Sequence, residues 1–392
     1  MIKSEKPPSI LALAAVTGLA PFTLNIIVPS LPSIADDFNV TYSSAQLVIT
    51  AFIAAMAIGQ LIIGSLSDAY GRRSILMIGI FVFIIGSIIC SMAPTIEMLI
   101  FGRFIQALGG VSGVVLGRAI VRDVYGREKA ASALGYVTTV MVIAPMIAPA
   151  LGGILADFVG WRSSFYVLIF TGIMLILMTF NGIKETNIDN RSSGDIKTLL
   201  FNFMILLRIR KFLLFTLTMA CANSLFFTFI AVAPYIIIEI LEFSPTQYGF
   251  AFIGISIAFM LGSFTAARLS ERVGSLRLIS VGVFGGILGS ILMGIFIYYD
   301  FMNIYTLFGS MMIITYSNGI VMPNIIANIV SVKPEFAGAA SGLSGSIQFS
   351  LAGICTYIAA SISIESAFPM SIQLVLLSLI GTLSFLIGKS SK

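Results

Sequence analysis

Gly64-Ser65-Leu66-Ser67-Asp68-Ala69-Tyr70-Gly71-Arg72-Arg73 decides how this chain is read. It is the first dense cluster of charge in a sequence that is 58% hydrophobic and only 10% charged. Long apolar runs flank it on both sides. So short a charged stretch between two such runs reads as a tight loop joining two membrane helices. The pattern G-x-L-x-D-x-x-G-R-R also returns in weakened form 203 residues later, where Leu66-Ser67-Asp68-Ala69-Tyr70-Gly71 becomes Leu269-Ser270-Glu271-Arg272-Val273-Gly274. Gly59 maps onto Gly262 at the same offset. The chain therefore reads as two parallel copies of one unit.

Composition agrees. Soluble domains carry about 25% charged residues, and a chain of 392 residues with a mean hydropathy of +1.05 has too much apolar surface to hide from water. Apolar runs of about 20 residues recur about every 30, each long enough to cross a hydrocarbon core as a helix. The alternation of about 10-residue barrel strands is not the pattern. Spans are expected near 9–29, 43–66, 74–93, 96–117, 131–156, 163–183, 212–238, 246–267, 276–298, 302–330, 337–361 and 367–388. The fold class is thus an all-α membrane protein with twelve transmembrane helices in two six-helix bundles. The expected division is 1–183 for the first bundle, 184–211 for a polar cytoplasmic linker and 212–392 for the second bundle. A stretch around Leu199–Leu207 is amphipathic enough to lie on the membrane surface. The apolar run from Ser9 to about Val28, preceded by Lys3 and Lys6, reads as a retained first helix rather than a cleaved signal.

Of the 22 lysines and arginines, all but Arg103 and Arg162 fall on the side of the two termini. The positive-inside rule puts that side in the cytoplasm. The chain has no histidine, which removes histidine acid–base chemistry, metal ligation and proton relays. Cys90, Cys221 and Cys355 lie inside apolar runs, odd in number and widely spaced, and read as packing residues rather than a disulfide or zinc framework. No nucleotide-binding loop, metal cluster or nucleophile constellation stands out. We expect no enzyme, no cofactor and no nucleic-acid partner, and energy from an ion gradient.

These features resemble the twelve-helix drug:proton antiporter branch of the major facilitator superfamily, with the greatest likeness to the Bcr/CflA multidrug efflux group. Gly64, Asp68, Gly71, Arg72 and Arg73 match the family loop between helices two and three. The resemblance implies that this loop is a gating latch. Arg103 is the one charge well inside the first bundle, with Gln106, Gly110, Gly113 and Gly117 on its helical face. It resembles the family motif R-x-x-Q-G, with the glycine displaced, and the resemblance implies a part in proton coupling. Arg118-Ala119-Ile120-Val121-Arg122-Asp123 resembles the same group, and Asp123 is placed to join an inner charge network with Asp68. Gly135, Pro145, Pro149, Gly152 and Gly153 resemble the antiporter motif of helix five, with Ala144 and Ala148 replacing two glycines. Trp161-Arg162 matches an outer-loop pair.

One position departs from the pattern. Thr23-Leu24-Asn25-Ile26-Ile27-Val28-Pro29 resembles the family's first-helix signature, but Asn25 stands where an aspartate is usual. An amide does not carry a proton at ordinary pH. The expectation is that Glu239, with Arg103, takes the coupling role, with Arg118 and Asp123 as further candidates. Asn25, Gln106, Tyr235, Asn318 and Gln348 are the expected cavity residues, with Asn324, Asn328 and the helix-seven aromatics Phe226, Phe227 and Phe229 beside them. The implied function is export of small, moderately apolar or cationic compounds across a bacterial inner membrane in exchange for protons, by a monomer. The alternatives are a dedicated metabolite or siderophore exporter, weakly coupled to protons, and a receptor-like scaffold.

Overall fold

The computed structural model describes residues 9–186, 196–362 and 366–390, with the backbone alone at 122, 125–142 and 196–198. Helix α1 (Ile10–Ile26) opens on Ser9, whose hydroxyl accepts from the Ala12 N–H at 3.3 Å. It ends where Pro29 can no longer donate to the helix ladder. A 3-10 turn, Val28–Ser30, leads into the short α2 (Leu31–Asp37).

Helix α3 (Tyr42–Tyr70) ends at Gly71, and α4 (Arg72–Ser91) begins on the next residue. Gly71 has φ +98° and returns its N–H to the Ser67 carbonyl at 3.1 Å. A side chain is strained at that φ, so the corner requires glycine. The second copy repeats it: α9 (Pro245–Val273) ends at Gly274, φ +90°, whose N–H reaches the Ser270 carbonyl at 3.0 Å before α10 (Ser275–Tyr298). The repeat seen in the sequence is therefore a repeat of backbone geometry.

Helix α5 is recorded as Ile96–Phe158, 63 residues. Straight, it would be about 95 Å long, far more than a bilayer holds. Yet Gly113 lies against the Val16 carbonyl and Gly152 against the Ile26 carbonyl, both on α1. Those two carbonyls are about 15 Å apart along α1. The chain thus doubles back between the described stretches Ile96–Val121 and Ile143–Phe158, and α5 supplies two crossings.

The remaining helices are α6 (Arg162–Gly182), α7 (Ile196–Leu207), α8 (Arg210–Pro234), α11 (Ile304–Ser331), α12 (Ala337–Ile362) and α13 (Phe368–Ser390). Among the described residues, eleven helices are long and apolar enough to span a membrane, and Ile143–Phe158 is a shorter apolar helix where the fifth span is expected. Helices α1, α3, α4, α5 and α6 pack into one bundle and α8 to α13 into another; α5 meets α9 and α3 meets α12 between them. Phe81, Phe101, Phe170, Leu288 and Leu383 are more than half exposed on the outside of the bundles, as a lipid-facing belt requires. In α7, Phe203 and Leu206 are buried while Leu200, Phe201 and Met204 stay exposed, the division expected of a helix lying along the membrane surface.

Candidate functional site

A cavity of about 220 Å³ lies between the bundles. Its wall is built from the last turns of α1 and the middles of α3, α8, α9, α11 and α12, with Pro145 from α5. Five phenylalanines dominate it: Phe226, Phe227, Phe252, Phe259 and Phe349. Edge-to-face contacts tie Phe226 to Phe252 (5.9 Å) and Phe227 to Phe349 (6.0 Å), joining α8 to α9 and to α12. The polar wall groups are Asn25, Asn223, Ser256, Thr315 and Asn318. No described wall residue carries a charge.

Of the expected cavity residues, Asn25 and Asn318 are on this wall. Asn25 is 3% exposed, and its Nδ2 donates to the Pro21 carbonyl at 2.8 Å. Asn318 Nδ2 donates to the Ala222 carbonyl at 2.7 Å. The other three expected cavity residues are elsewhere. Gln106 is fully buried within the first bundle, held between Arg103 and Ser87. Tyr235 packs against Tyr42 with ring centres 5.0 Å apart and planes tilted by 42°, at the end of the molecule opposite the termini. Gln348 is half-buried off the wall, because the helical turn presents Phe349 instead. Asn324 and Asn328 also lie away from the cavity, binding Ser270 and Ser275 at the second-bundle corner. Phe229 packs on Phe308 at 5.7 Å.

At the end opposite the termini the two bundles close on each other. The Tyr42 hydroxyl donates to the Ala231 carbonyl at 2.9 Å, and the Thr246 N–H donates to Asp157 Oδ2 at 2.9 Å. Gly249 sits against the Pro149 carbonyl and Gly153 against the Pro245 carbonyl, so α5 and α9 touch backbone to backbone. Of the antiporter-helix residues, Pro145 lines the cavity, Pro149 and Gly153 form this seam, Gly152 packs on the Ile26 carbonyl of α1, and Gly135 lies in the stretch of which the backbone alone is described.

Nearer the termini, the Gly64–Arg73 corner is a bonded hub. Arg72 is 8% exposed. Its guanidinium meets Asp68 at 2.5 Å, Asp123 at 3.2 Å and the Ser67 hydroxyl at 2.5 Å. Ser67 in turn donates to the Gly64 carbonyl at 2.7 Å. Arg73 donates to the Phe180 carbonyl at 2.9 Å and lies over the Phe180 ring. The Glu185 carboxylate accepts from the backbone N–H groups of Arg72 (2.8 Å) and Arg73 (3.1 Å), capping α4 from beyond the end of α6. The expected meeting of Asp68 and Asp123 is therefore made through Arg72, while Arg118 is exposed farther along α5. Glu185 was not anticipated: an acid in Lys184-Glu185-Thr186 reads as linker, and a cap formed across 113 residues leaves no local signal. At the matching corner of the second bundle the side chains that bond are uncharged. Ser270 donates to Asn324 Oδ1 at 2.9 Å, and Asn328 donates to Ser275 at 3.1 Å.

Arg103 is fully buried. One nitrogen, Nη1, donates to Gln106 Oε1 (2.6 Å) and to the Thr23 carbonyl (3.2 Å), and the guanidinium lies 4.3 Å from the Phe52 ring centre. Gln106 passes the chain on to Ser87 at 2.7 Å, and Ser87 to the Phe83 carbonyl at 2.8 Å. Glu239 is not brought to it. It is exposed in a π turn, Tyr235–Ile240, that follows Pro234 at the opposite end. Asp37 accepts there from Arg162 (2.6 Å) and from the Trp161 indole (3.1 Å).

Two bundles around a central cavity, with a bonded corner repeated in each, define a membrane-embedded transporter. A family model, the Major Facilitator Superfamily, matches residues 13–356, and the chain belongs to that family. It is 30% identical over 383 residues to an uncharacterized MFS-type transporter, YdgK, of Bacillus subtilis, covering 96% of this chain and 94% of that protein. It is 25% identical over 362 residues to a bicyclomycin resistance protein homolog of Haemophilus influenzae, covering 92% of this chain and 91% of that one. With the multidrug resistance protein MdtL of Salmonella paratyphi A it shares 26% over 381 residues, covering 92% and 90%. A crystal structure of a D-xylose-proton symporter superposes with a TM-score of 0.76 at 14% identity, covering 97% of this chain and 96% of that chain, a likeness of fold.

Proposed function

We propose that the chain exports small drug-like compounds across the bacterial inner membrane, as a monomer with both termini in the cytoplasm, by alternating access in exchange for protons. The observation that carries this reading is the phenylalanine-walled cavity between the bundles, shut at one end by the α5–α9 seam. A wall of flat apolar rings holds varied apolar bodies without demanding one shape. The bicyclomycin and multidrug names of the relatives support export of this kind. The distribution of lysine and arginine supports the orientation. We place the bundles at 1–183 and 212–392, with 184–211 as linker.

Since no described wall residue titrates, proton exchange falls to carboxylates outside the cavity: Glu239 at one end, Asp68 and Asp123 at the other. The Arg72 hub then acts as a latch whose bonds must loosen when the first bundle rocks. A dedicated metabolite exporter is the second reading, favoured by the three asparagines on the wall, which would orient one cargo.

Reconstitution into proteoliposomes tests both. A pH gradient is imposed and flux of a compound panel is followed, with Asn25→Asp and Glu239→Gln alongside. Gradient-driven flux of several unrelated compounds is expected, reduced in Glu239→Gln. Flux that ignores the gradient removes proton exchange. Flux of a single metabolite class favours the second reading, and absence of flux rejects export.

A further inference from the structure

The cavity wall is neutral but not featureless. Most of its polar groups are already engaged by the protein: Ser256 donates to the Phe252 carbonyl, Thr315 to the Ile255 and Met311 carbonyls, and Asn318 to Ala222. Two polar atoms are buried without a partner. They are Oδ1 of Asn25 on α1 and Nδ2 of Asn223 on α8. One is an acceptor and the other a donor. A buried polar atom left unmade costs about 1–3 kcal/mol, which a ligand bonding to it recovers.

The charge around the cavity is one-sided. Arg103 makes no salt bridge among the described residues, and it donates to the Thr23 carbonyl, two residues from Asn25 on the same helix. A cation entering the cavity would lose its hydration, find no carboxylate on the described wall and meet an uncompensated positive charge behind α1. Attraction to a ring face returns about 2 kcal/mol or more to a desolvated cation, against a desolvation cost of several kcal/mol that no carboxylate on the described wall offsets. An anion would face five phenylalanine rings and has a single free donor, Asn223 Nδ2, on the wall.

We propose that this cavity selects uncharged aromatic carboxamides and their like, with Asn25 Oδ1 accepting from the ligand N–H and Asn223 Nδ2 donating to its carbonyl, and that it rejects cations. The proposal rests on the reading of this cavity as the transport site, and it narrows the cargo expected from the sequence by removing the cationic compounds.

Three probes of one shape test it: 2-naphthamide (neutral), 2-naphthamidine (a cation at neutral pH) and 2-naphthoate (an anion). Binding is measured to protein in lipid nanodiscs, corrected for empty discs. The amide is expected to bind at least tenfold tighter than either ion. Asn25→Leu and Asn223→Leu are each expected to weaken it about tenfold, and Asn25→Asp to raise amidine binding at least tenfold. Melting followed by Trp161 fluorescence identifies a variant that does not fold; the serine variant at that position then replaces it. Either ion binding as tightly as the amide overturns the proposal, and so does an amide affinity unchanged by both asparagine substitutions. Flux of the same probes in vesicles separates the two readings. Selective binding without flux defeats transport and leaves the selectivity standing, while flux of amidine and amide at equal rates defeats the selectivity alone.

Discussion

Glu185 accepts a hydrogen bond from the Arg72 backbone N–H at 2.8 Å, and so caps α4 from beyond the end of α6. The first N–H groups of a helix have no partner inside it. A carboxylate there also meets the positive end of the helix dipole. Glu185→Ala leaves two N–H groups to water and is expected to destabilise the protein by about 1–2 kcal/mol. Glu185→Gln keeps one acceptor oxygen and should lose about half as much. Thermal melting in nanodiscs ranks the two; equal melting of wild type and Glu185→Ala counts against the cap.

Arg103 separates charge from shape. Its Nη1 serves two acceptors at once and its plane lies on Phe52. Lysine has neither the fork nor the flat face, so Arg103→Lys is expected to cost about 2 kcal/mol. Arg103→Met removes a buried, unpaired cation and fills the same space, and should melt at or above the Arg103→Lys temperature. Melting in the reverse order would show that the charge itself holds the bundle.

The α5–α9 seam should fail by sterics alone. At Gly249 a Cβ would run into the Pro149 carbonyl, and backbone cannot step aside as a flexible side chain does. Gly249→Val is expected to hold the bundles apart at that end. In a chain whose three native cysteines are replaced by alanine, Ile255→Cys on the cavity wall then reports access. Labelling by a membrane-impermeant maleimide from the seam side should rise at least fivefold with Gly249→Val. Unchanged labelling would place the barrier elsewhere.

The Asp37 pair is a surface contact and should behave as one. The partners Asp37 and Arg162 have side chains 45% and 38% exposed. Asp37→Asn should therefore cost under about 1 kcal/mol and lose that effect at high salt. Trp161 is the only tryptophan and donates to the same carboxylate at 3.1 Å. Its emission maximum should shift in Asp37→Asn. An unshifted maximum would mean the indole does not use Asp37.

Helix count and the two corners were legible because they depend on short-range rules. Apolar length fixes a span, and a charged G-R-R after a helix fixes a turn; both Gly71 and Gly274 take the positive φ the repeat demanded. Asn25 could be named because it stands where the family's first helix carries an aspartate, and Asn318 because an amide is conspicuous in an apolar run. The expectation failed at Gln106 because Arg103, three residues away, captures its amide. It failed at Gln348 because one residue of helical rotation is 100°, below what an apolar run resolves. Asn223, sitting among Cys221, Ala222 and Ser224, carries no pattern of its own, and only the packed wall distinguishes it.

Arg103 gives the membrane potential a handle on one bundle only. It is a buried charge without a salt-bridge partner among the described residues, within the span Ile96–Val121. The described charges of the second bundle lie near helix ends. Moving a full charge through 100 mV is worth about 2.3 kcal/mol, and a partial displacement a proportionate fraction. Under the proposed alternating access, rocking the first bundle along the membrane normal does electrical work and rocking the second does little, which gives the cycle a voltage-dependent half even when the cargo is neutral.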